Sequence, residues 1–388
     1  FDLLKYWIPY SIPTQPAIFF RRDLITQNER NPGELFDVNL NYTMDYDLWM
    51  RIAIKNPLVR RIKQPFATYR MTEDNKTGPQ SGGLAHAEPE MSLIFHRAET
   101  IALAPSYRWS VIIPFDRVDK SLEDTIRSVI EQQGADLEII LTPIGDNSEL
   151  KSSSKALMRE INTNQRTKLD DRYLRLNTTT HRGLFEAIQA SISMAEGRYI
   201  QVLRAGDLIS DSYLTQLQSK FQNNRVGFIL PFRSSHSLAQ SFAPSDWKQT
   251  SQALEVRLEA ILETNFVPTF FAARRVALLE CADLSDLPHP QCNLRRMILE
   301  GLNRGWYISA PEGLPLSLKS SSTMEGPADA QQIGMVAAYS LIKSNSSLSA
   351  DPFQIVRIAH GVGFHLPDEI LNNCKALLDK GGQLWKVD

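Results

Sequence analysis

The chain has 388 residues, of which 43% are hydrophobic and 22% are charged, a composition typical of soluble globular proteins with about two domains. A formal net charge of -2 argues against the basic field that nucleic-acid binding requires, so we expect no nucleic-acid partner. The three cysteines lack the spacing of metal or redox sites, and their odd number favours reduced thiols in a cytoplasm. The sequence has no apolar run of about 18 residues and therefore predicts no membrane-spanning helix.

The first hundred residues predict few regular elements. An extended, proline-rich segment leads to a helix from Asp45 to Lys55, whose first turn carries two aspartates. One or two strands are predicted from Leu58 to Pro65, followed by a polar, glycine-rich loop over residues 71–88 and a helix from Glu90 to Ala102. Because this order lacks the strand–helix–strand opening of an α/β domain, we interpret the segment as an incomplete unit.

A new α/β domain is predicted to begin at Ser110. The β-branched run SVIIP, from Ser110 to Pro114, predicts a strand that is buried on both faces. Ser121 and Asp124 form a capping box ahead of a helix, and a second strand is predicted from Leu137 to Leu141. Strand, capped helix and strand make a parallel βαβ unit, which opens many nucleotide-binding folds.

The α/β pattern continues through the middle of the chain. The predicted strands are Tyr173–Leu176, Tyr199–Leu203 and Val226–Leu230. The predicted helices are Gly183–Ala195, Asp211–Asn223 and Ala253–Thr264. Beyond Asp329 the sequence predicts helices joined by glycine turns, with no chemistry that the residues identify.

A weak internal repeat links the two halves of the chain. The segment NFVPTFFAARRVALLE, from Asn265, repeats the pattern of SIPTQPAIFFRRDLI, from Ser11. After each copy come a polar loop, a helix and a short strand with a proline. We therefore expect residues 1–105 to be the back half of a domain whose complete version spans residues 106–325, with a helical segment over residues 326–388.

Three motifs of the first unit, in chain order, are IPTQPAIFFRR, MDYDLWMRIA and YRMTEDNKT. In this order and spacing they resemble the back half of a family-two glycosyltransferase of the GT-A fold. The segments SVIIP and HRGLFEAIQASISMAEGRYIQVLRAGD resemble the front half of that family, so the resemblance covers roughly residues 5–320. It implies an α/β fold in which helices flank a Rossmann-like mixed sheet, with a first copy truncated at its N-terminus and a complete second copy.

The resemblance implies a catalytic base at Asp45. In the family, the aspartate at this position of the MDYDLW-like motif accepts the proton of the acceptor hydroxyl, and the transfer inverts the sugar configuration. Asp47 then either supports the site, contributes to donor or acceptor binding, or caps the helix. The alternative is that both aspartates only stabilise the helix start, as acidic residues in first turns commonly do.

Three basic residues are expected near the donor or the acceptor: Arg22, Arg70 and Lys76. Arg22 follows Arg21, and the pair either contacts phosphates or is a solvated pair near a strand end. The family often has a metal-binding histidine where Thr72 stands in this sequence. With that ligand missing, Lys76 is expected to offer a positive charge to the diphosphate.

The second unit departs from the family at the positions that carry its chemistry. Pro143 and Ile144 replace the carboxylates expected after the second strand. In the sequence RAGD, Arg204 and Gly206 stand where metal-binding aspartates are expected, and Asp207 is the remnant of that site. The sequence PQCNLRR replaces the motif that carries the base. We therefore expect the second domain to be catalytically degenerate.

The resemblance implies an inverting glycosyltransferase that moves a sugar from a nucleotide-diphosphate-sugar to a glycan or lipid-linked acceptor in surface polysaccharide synthesis. A divalent metal, Mn²⁺ or Mg²⁺, is expected to be held mainly by residues upstream of Phe1, so we expect the chain alone to be inactive. The expected location is the cytoplasm, with peripheral association at the inner face of a membrane. The alternative is a non-catalytic glycan-binding or scaffolding module derived from a glycosyltransferase.

Overall fold

The chain divides into two compact units, Phe1–Pro105 (unit 1) and Ser106–Asp388 (unit 2). The computed structural model describes residues 4–6, 15–60, 62, 64, 67–68, 85–145, 148–164, 173–179, 181, 183–230, 271–281, 297–298, 300–301, 304–309 and 316–317. The predictions for Arg70, for Lys76, for the helix Ala253–Thr264 and for the helical tail over residues 326–388 therefore lie outside the described residues, as does the predicted loop up to residue 84.

Unit 1 is helical in the part that the structure describes. Its elements are a 3-10 helix at Gln15–Ala17, α1 at Arg22–Thr26, α2 at Met44–Ile54 and α3 at Glu88–Leu103. The two predicted helices are confirmed as α2 and α3. The strand prediction over Leu58–Pro65 is wrong for residues 58–60, 62 and 64, which form neither helix nor strand. Their side chains are largely exposed, so no partner strand covers them.

One face of α2 forms a small apolar core in unit 1. Residues three and four positions apart lie on the same side of a helix, which is why the apolar residues of MDYDLWMRIAI converge. The core contains Leu48, Trp49 and Ile52, against which Ile18, Leu24 and Leu35 pack. This packing fixes the helix that carries Asp45 and Asp47.

Unit 2 alternates strands and helices. Its strands are β1 Tyr107–Phe115, β2 Leu137–Pro143, β3 Leu174–Leu176, β4 Gly197–Val202, β5 Leu208–Ile209, β6 Val226–Ile229, β7 Phe271–Arg274, β8 Tyr307–Ser309 and β9 Leu316–Ser317. Its helices are α4 Lys120–Ile130, α5 Ser148–Asn164, α6 Leu184–Met194, α7 Tyr213–Lys220 and α8 Arg275–Cys281. The strands and helices predicted between Ser110 and Leu230 are confirmed, whereas α5 was not predicted.

Seven of these strands form a mixed sheet in the order β3-β2-β1-β4-β7-β6-β8, and β5 pairs with β9. Strand β1 runs parallel to β2 and β4, and β2 runs parallel to β3. Strand β7 is antiparallel to its neighbours β4 and β6, whereas β8 is parallel to β6. The predicted parallel βαβ opening and the predicted mixed sheet are thus confirmed, while the truncated first copy in unit 1 stays a prediction.

Strand β1 is buried on both faces, as the run SVIIP predicts. Val111, Ile113 and Phe115 belong to the main apolar core of unit 2, which also contains the buried side of α4. Ile112 is buried as well. Because neighbouring residues of a strand point to opposite faces, helices must cover the sheet on both sides.

Helix α4 is capped differently from the prediction. The N-cap residue is Asp119, whose carboxylate accepts a hydrogen bond from the backbone N–H of Leu122 at 3.1 Å, and the helix begins at Lys120. Ser121 lies inside the helix, and Asp124 pairs with Lys120 at 2.9 Å. The predicted capping box was wrong because aspartate and serine cap helices equally well, so the pattern did not separate two neighbouring candidates.

A buried arginine connects β7 to the end of α7. The guanidinium of Arg274 donates to the carbonyl oxygens of Val226 at 2.9 Å, of Asn223 at 3.4 Å and of Phe221. The rings of Tyr199 and Phe221 lie beside it, with 5.6 and 5.4 Å from the guanidinium carbon to the ring centroids. Because the carbonyl end of a helix carries partial negative charge, this cation stabilises the C-terminus of α7.

Candidate functional site

The first turn of α2 presents the carboxylate that was predicted to be the base. Asp45 is the second residue of α2 and is partly buried. Its Oδ1 accepts a hydrogen bond from the backbone N–H of Tyr46 at 2.8 Å. Among the described residues, no donor reaches its other oxygen, Oδ2. Asp45 is therefore oriented by one hydrogen bond and keeps one oxygen that can accept a proton.

Asp47, in contrast, is buried in an ion pair. Its Oδ2 lies 2.9 Å from Nε of Arg51, one helical turn further along α2. Arg51 also donates to the carbonyl oxygen of Leu35 at 2.6 Å and to that of Asn28. The pair therefore ties α2 to the loop that precedes it, and a binding role for Asp47 stays a prediction. The spacing of four residues could have revealed Arg51 in the sequence.

Glu90 holds the loop that leads into α2. Its carboxylate accepts hydrogen bonds from the backbone N–H groups of Asn41, Tyr42 and Thr43 at 2.8 to 3.1 Å, and from the Thr43 hydroxyl at 2.9 Å. Burial alone would raise the pKa of Glu90, but these donors lower it below its usual value. Thr43 is the N-cap residue of α2, so Glu90 orients the turn that carries Asp45. No local signal reveals this contact, because almost fifty residues separate the partners.

A second carboxylate, that of the buried residue Asp37, fixes the same loop. Asp37 pairs with Arg97 of α3 at 2.9 Å and with Arg30, and its Oδ1 accepts from the backbone N–H of Asn39 at 3.0 Å. Burial alone would raise the pKa of Asp37, but the two arginines and this N–H hold the pKa well below its usual range. Unit 1 therefore uses Asp37 and Glu90 to stabilise the fold, and sequence inspection singled out neither.

Arg22 is exposed and begins α1. Its predicted position near a strand end is wrong, because residues 18–21 form no strand. The preceding Arg21 binds Asp23 through two hydrogen bonds of 3.1 and 2.8 Å. Within the described part of unit 1, Arg22 has no carboxylate partner, so its charge faces solvent. Its contact with a donor or acceptor stays a prediction.

The remnant acidic motif of unit 2 forms a tight turn after β4. The backbone N–H of Asp207 donates to the carbonyl oxygen of Arg204 at 3.0 Å, and the Asp207 carboxylate accepts the Arg204 N–H at 2.8 Å. Gly206 has a φ of +99°, which only glycine adopts readily, and its N–H donates to the Thr125 hydroxyl at 2.7 Å. The carboxylate of Asp207, the remaining acidic residue of the motif, therefore closes the turn.

These residues do not fit a divalent metal. Asp207 is only 4% exposed, and its carboxylate already accepts a backbone hydrogen bond. Pro143, at the end of β2, and Ile144, which follows it, offer no carboxylate. The described residues contain no group of three or more histidine, cysteine, aspartate or glutamate side chains that could hold an ion. Since Mn²⁺ and Mg²⁺ prefer several oxygen ligands, the metal role predicted for Asp207 has no partner ligands among the residues that the structure describes.

A hydrogen-bonded histidine joins the ends of β2 and β3. The Thr179 hydroxyl lies 2.6 Å from Oδ1 of Asn177 and 2.7 Å from Nε2 of His181. If Thr179 donates to Asn177, its oxygen accepts from His181, which places the imidazole proton on Nε2. Burial lowers the pKa of His181 below 6.5, so the ring is neutral at pH 7. The His181 carbonyl oxygen accepts the N–H of Gly145 at 2.7 Å, which connects the two strand ends.

Comparison with known protein families gives one match. Residues 110–281 match the profile of glycosyl transferase family 2. The match begins in β1, ends with α8 and lies entirely in unit 2. No curated protein sequence matches the chain significantly.

Several solved structures share a weak likeness with the chain. TarS of S. aureus is 17% identical, with a TM-score of 0.46, over 69% of this chain and 43% of TarS, so the chain spans less than half of that protein. TarS 1-349 in complex with UDP-GlcNAc is 17% identical, with a TM-score of 0.45, over 69% of this chain and 72% of that one. The mannosyltransferase PcManGT from Pyrobaculum calidifontis, in complex with GDP-Man and Mn²⁺, is 13% identical, with a TM-score of 0.45, over 78% of this chain and 86% of that one.

Proposed function

We propose that this chain, which carries a glycosyl transferase family 2 domain at residues 110–281, acts in sugar transfer. The reaction would move a hexose from a nucleotide-diphosphate donor to a glycan or lipid-linked acceptor with inversion, in surface polysaccharide synthesis. The observation that carries the proposal is the family match. The partly buried carboxylate of Asp45, at the start of α2, supports the proposed mechanism of proton transfer.

Asp45 is the proposed general base. As the acceptor oxygen bonds to the anomeric carbon, the bond from that carbon to the diphosphate oxygen breaks, and the acceptor proton passes to Oδ2 of Asp45. The incoming and leaving oxygens are then on opposite sides of the carbon, which inverts the configuration. The N–H of Tyr46 holds the other carboxylate oxygen, so the base enters the reaction already oriented.

The surrounding contacts of unit 1 support this role by positioning. Glu90 fixes the loop before α2, and the ion pair of Asp47 with Arg51 anchors the helix to the same loop. We assign Asp47 to this support, while Arg22, Arg70 and Lys76 remain proposed contacts for the phosphates or the acceptor. Positively charged side chains at these positions would offset the charge of the departing diphosphate.

A second candidate function rests on the chemistry that unit 2 lacks. Its remaining carboxylate, Asp207, is committed to the Arg204 turn, and no metal ligand set is formed by the residues described there. A domain of this kind keeps the sheet and the helices but cannot assist departure of a diphosphate through a metal. It would serve as a non-catalytic glycan-binding or scaffolding module. Unit 1 would then either carry the activity or be inactive as well.

The experiment that tests the proposal is an assay of the full-length protein against a panel of nucleotide sugars, with Mn²⁺ and with EDTA. We expect release of a nucleoside diphosphate together with a glycosylated acceptor, and NMR of the product should show an inverted anomeric configuration. A retained configuration would contradict Asp45 as the base. Glycan binding without turnover of any donor would establish the module instead.

A further inference from the structure

Directly after α2, the chain exposes three aliphatic side chains on a strongly basic segment. Leu58, Val59 and Ile62 are 90%, 79% and 61% exposed. They lie in residues 55–63, with the sequence KNPLVRRIK, here named the basic apolar segment. Burying aliphatic side chains is favourable, so a run of them this open to water points to a partner that covers it.

The charge of the segment indicates the nature of that partner. Its four basic residues are Lys55, Arg60, Arg61 and Lys63, and it contains no acidic residue, although the whole chain has a formal net charge of -2. Lys55 and Arg60 are exposed. Aliphatic side chains interleaved with cations match the boundary between lipid tails and anionic headgroups, where both kinds of group are satisfied together.

The segment does not continue the helical path of α2. The helix ends at Ile54, and Asn56 adopts a left-handed conformation with a φ of +51°. Pro57 follows and prevents the helix from continuing. Lys55 donates to the carbonyl oxygen of Gln27 at 2.6 Å, which fixes the start of the segment on unit 1.

We propose that the basic apolar segment docks this protein on the surface of an anionic lipid bilayer. In the part of the chain that the structure describes, no helix is long and apolar enough to cross a membrane, and the proposed binding is peripheral. Asp45 lies at the opposite end of the 11-residue α2, about 15 Å away along the helix axis. Docking would therefore bring the proposed base within reach of a lipid-linked acceptor.

This inference rests on the lipid-linked acceptor of the proposed function, but its test does not depend on sugar transfer. The test is sedimentation of the protein with vesicles of phosphatidylcholine alone or with phosphatidylglycerol added. We expect binding to the anionic vesicles only, weakening as salt is raised. The double variant Arg60→Gln/Arg61→Gln should bind on the order of tenfold more weakly. The triple variant Leu58→Gln/Val59→Gln/Ile62→Gln should lose binding to a similar or greater extent.

Matched controls test whether binding depends on this segment or on exposed aliphatic and charged side chains anywhere on the protein. Ile101→Gln removes an aliphatic side chain that is 59% exposed on α3, and Arg108→Gln/Arg117→Gln removes two exposed charges from unit 2. Both controls should bind vesicles like the wild type. Circular dichroism checks that each variant is folded, and transfer to a water-soluble acceptor is measured in parallel, so loss of docking and loss of catalysis are read separately.

Three results would overturn the proposal. One is the absence of wild-type binding to anionic vesicles, and another is equal binding to neutral ones. The third is unchanged binding by the triple variant. If sedimentation velocity shows instead that the triple variant dissociates a dimer of the wild type, the segment binds a second copy of the chain and not a lipid surface.

Discussion

The start of α2 in unit 1 and the turn after β4 in unit 2 each carry an aspartate that the sequence associates with catalysis. At α2, Asp45 is partly buried and has an oxygen that no described donor reaches. In the turn, Asp207 is buried and accepts the backbone N–H of Arg204. The comparison shows that a carboxylate at a motif position can serve to close a turn. An acidic residue therefore supports catalysis only where its oxygens remain available.

The two arginine pairs of the predicted repeat differ in the same way. Arg22 begins α1 and Arg275 begins α8, so each pair stands at the start of a helix. Arg21 is exposed and pairs with the exposed carboxylate of Asp23, whereas Arg274 is buried and donates to three carbonyl groups. The shared sequence pattern therefore predicts the helix start in both units, but it does not predict what the first arginine of each pair does.

The largest expected effect on stability comes from the substitution of Arg274. Replacing Arg274 by alanine leaves carbonyl groups at the end of α7 without a donor and opens a cavity beside two aromatic rings. We expect the free energy of unfolding of unit 2 to fall by about 3 kcal/mol. Hydrogen exchange of peptides from β6, β7 and α7 measures this loss within the chain.

Arg21→Ala is the matched control, because it removes the corresponding side chain from an exposed ion pair. Exposed pairs contribute little, so unit 1 should lose at most about 0.5 kcal/mol. Equal losses for the two variants would show that both arginines stabilise the fold in the same way.

A smaller effect concerns the support of Asp45. Glu90→Ala removes the acceptor of three backbone donors and the Thr43 hydroxyl, so unit 1 should lose about 2 kcal/mol of stability. The pH dependence follows from the lowered pKa of Glu90. Its carboxylate contributes fully above the usual value of 4.5, and the contribution is lost as the pH falls through the lower pKa of the folded state.

Hydrogen exchange of α2 peptides, recorded for wild type and Glu90→Ala as the pH is lowered, measures that contribution. The difference in stability between the two proteins should shrink below pH 4.5. Glu88→Ala, in the same turn of α3, serves as the control. A difference that is constant with pH would assign the stabilisation to packing of the Glu90 side chain and not to its charge.

The smallest expected effect is that of Mn²⁺ on the turn after β4, which carries Asp207. Because the Arg204–Asp207 turn lacks a ligand set, adding Mn²⁺ should leave hydrogen exchange of residues 197–209 unchanged, and EDTA should leave it unchanged as well. Protection of this turn by Mn²⁺ would show that Asp207 binds metal with partners outside the described residues.

The fold of unit 2 could largely be predicted from its sequence. The apolar run at Ser110 predicts β1, and the spacing of Leu122, Ile126 and Val129 predicts the buried face of α4. Such signals are local, because they depend on side-chain periodicity within one element. The insertion of β7 between β4 and β6 could not be predicted, since it depends on pairing between strands that are roughly 45 to 70 residues apart.

The candidate site was predictable in part. The motif MDYDLW predicts Asp45 at the start of a helix, and the structure places it in the first turn of α2. Glu90 and Asp37, which hold that turn, were missed because their partners are distant in sequence. The strand prediction at Leu58 failed because strand preference depends on neighbours that cover the side chains, and Leu58 and Val59 are exposed.

The role of Asp45 as the general base is tested by comparing sugar transfer by the full-length wild-type protein with transfer by Asp45→Asn. Asp23→Asn, in the first turn of α1, is the matched control. We expect Asp45→Asn to lower turnover on the order of a hundredfold or more while donor binding is retained, and Asp23→Asn to transfer like the wild type. Wild-type turnover by Asp45→Asn would contradict the account and remove this carboxylate from the mechanism.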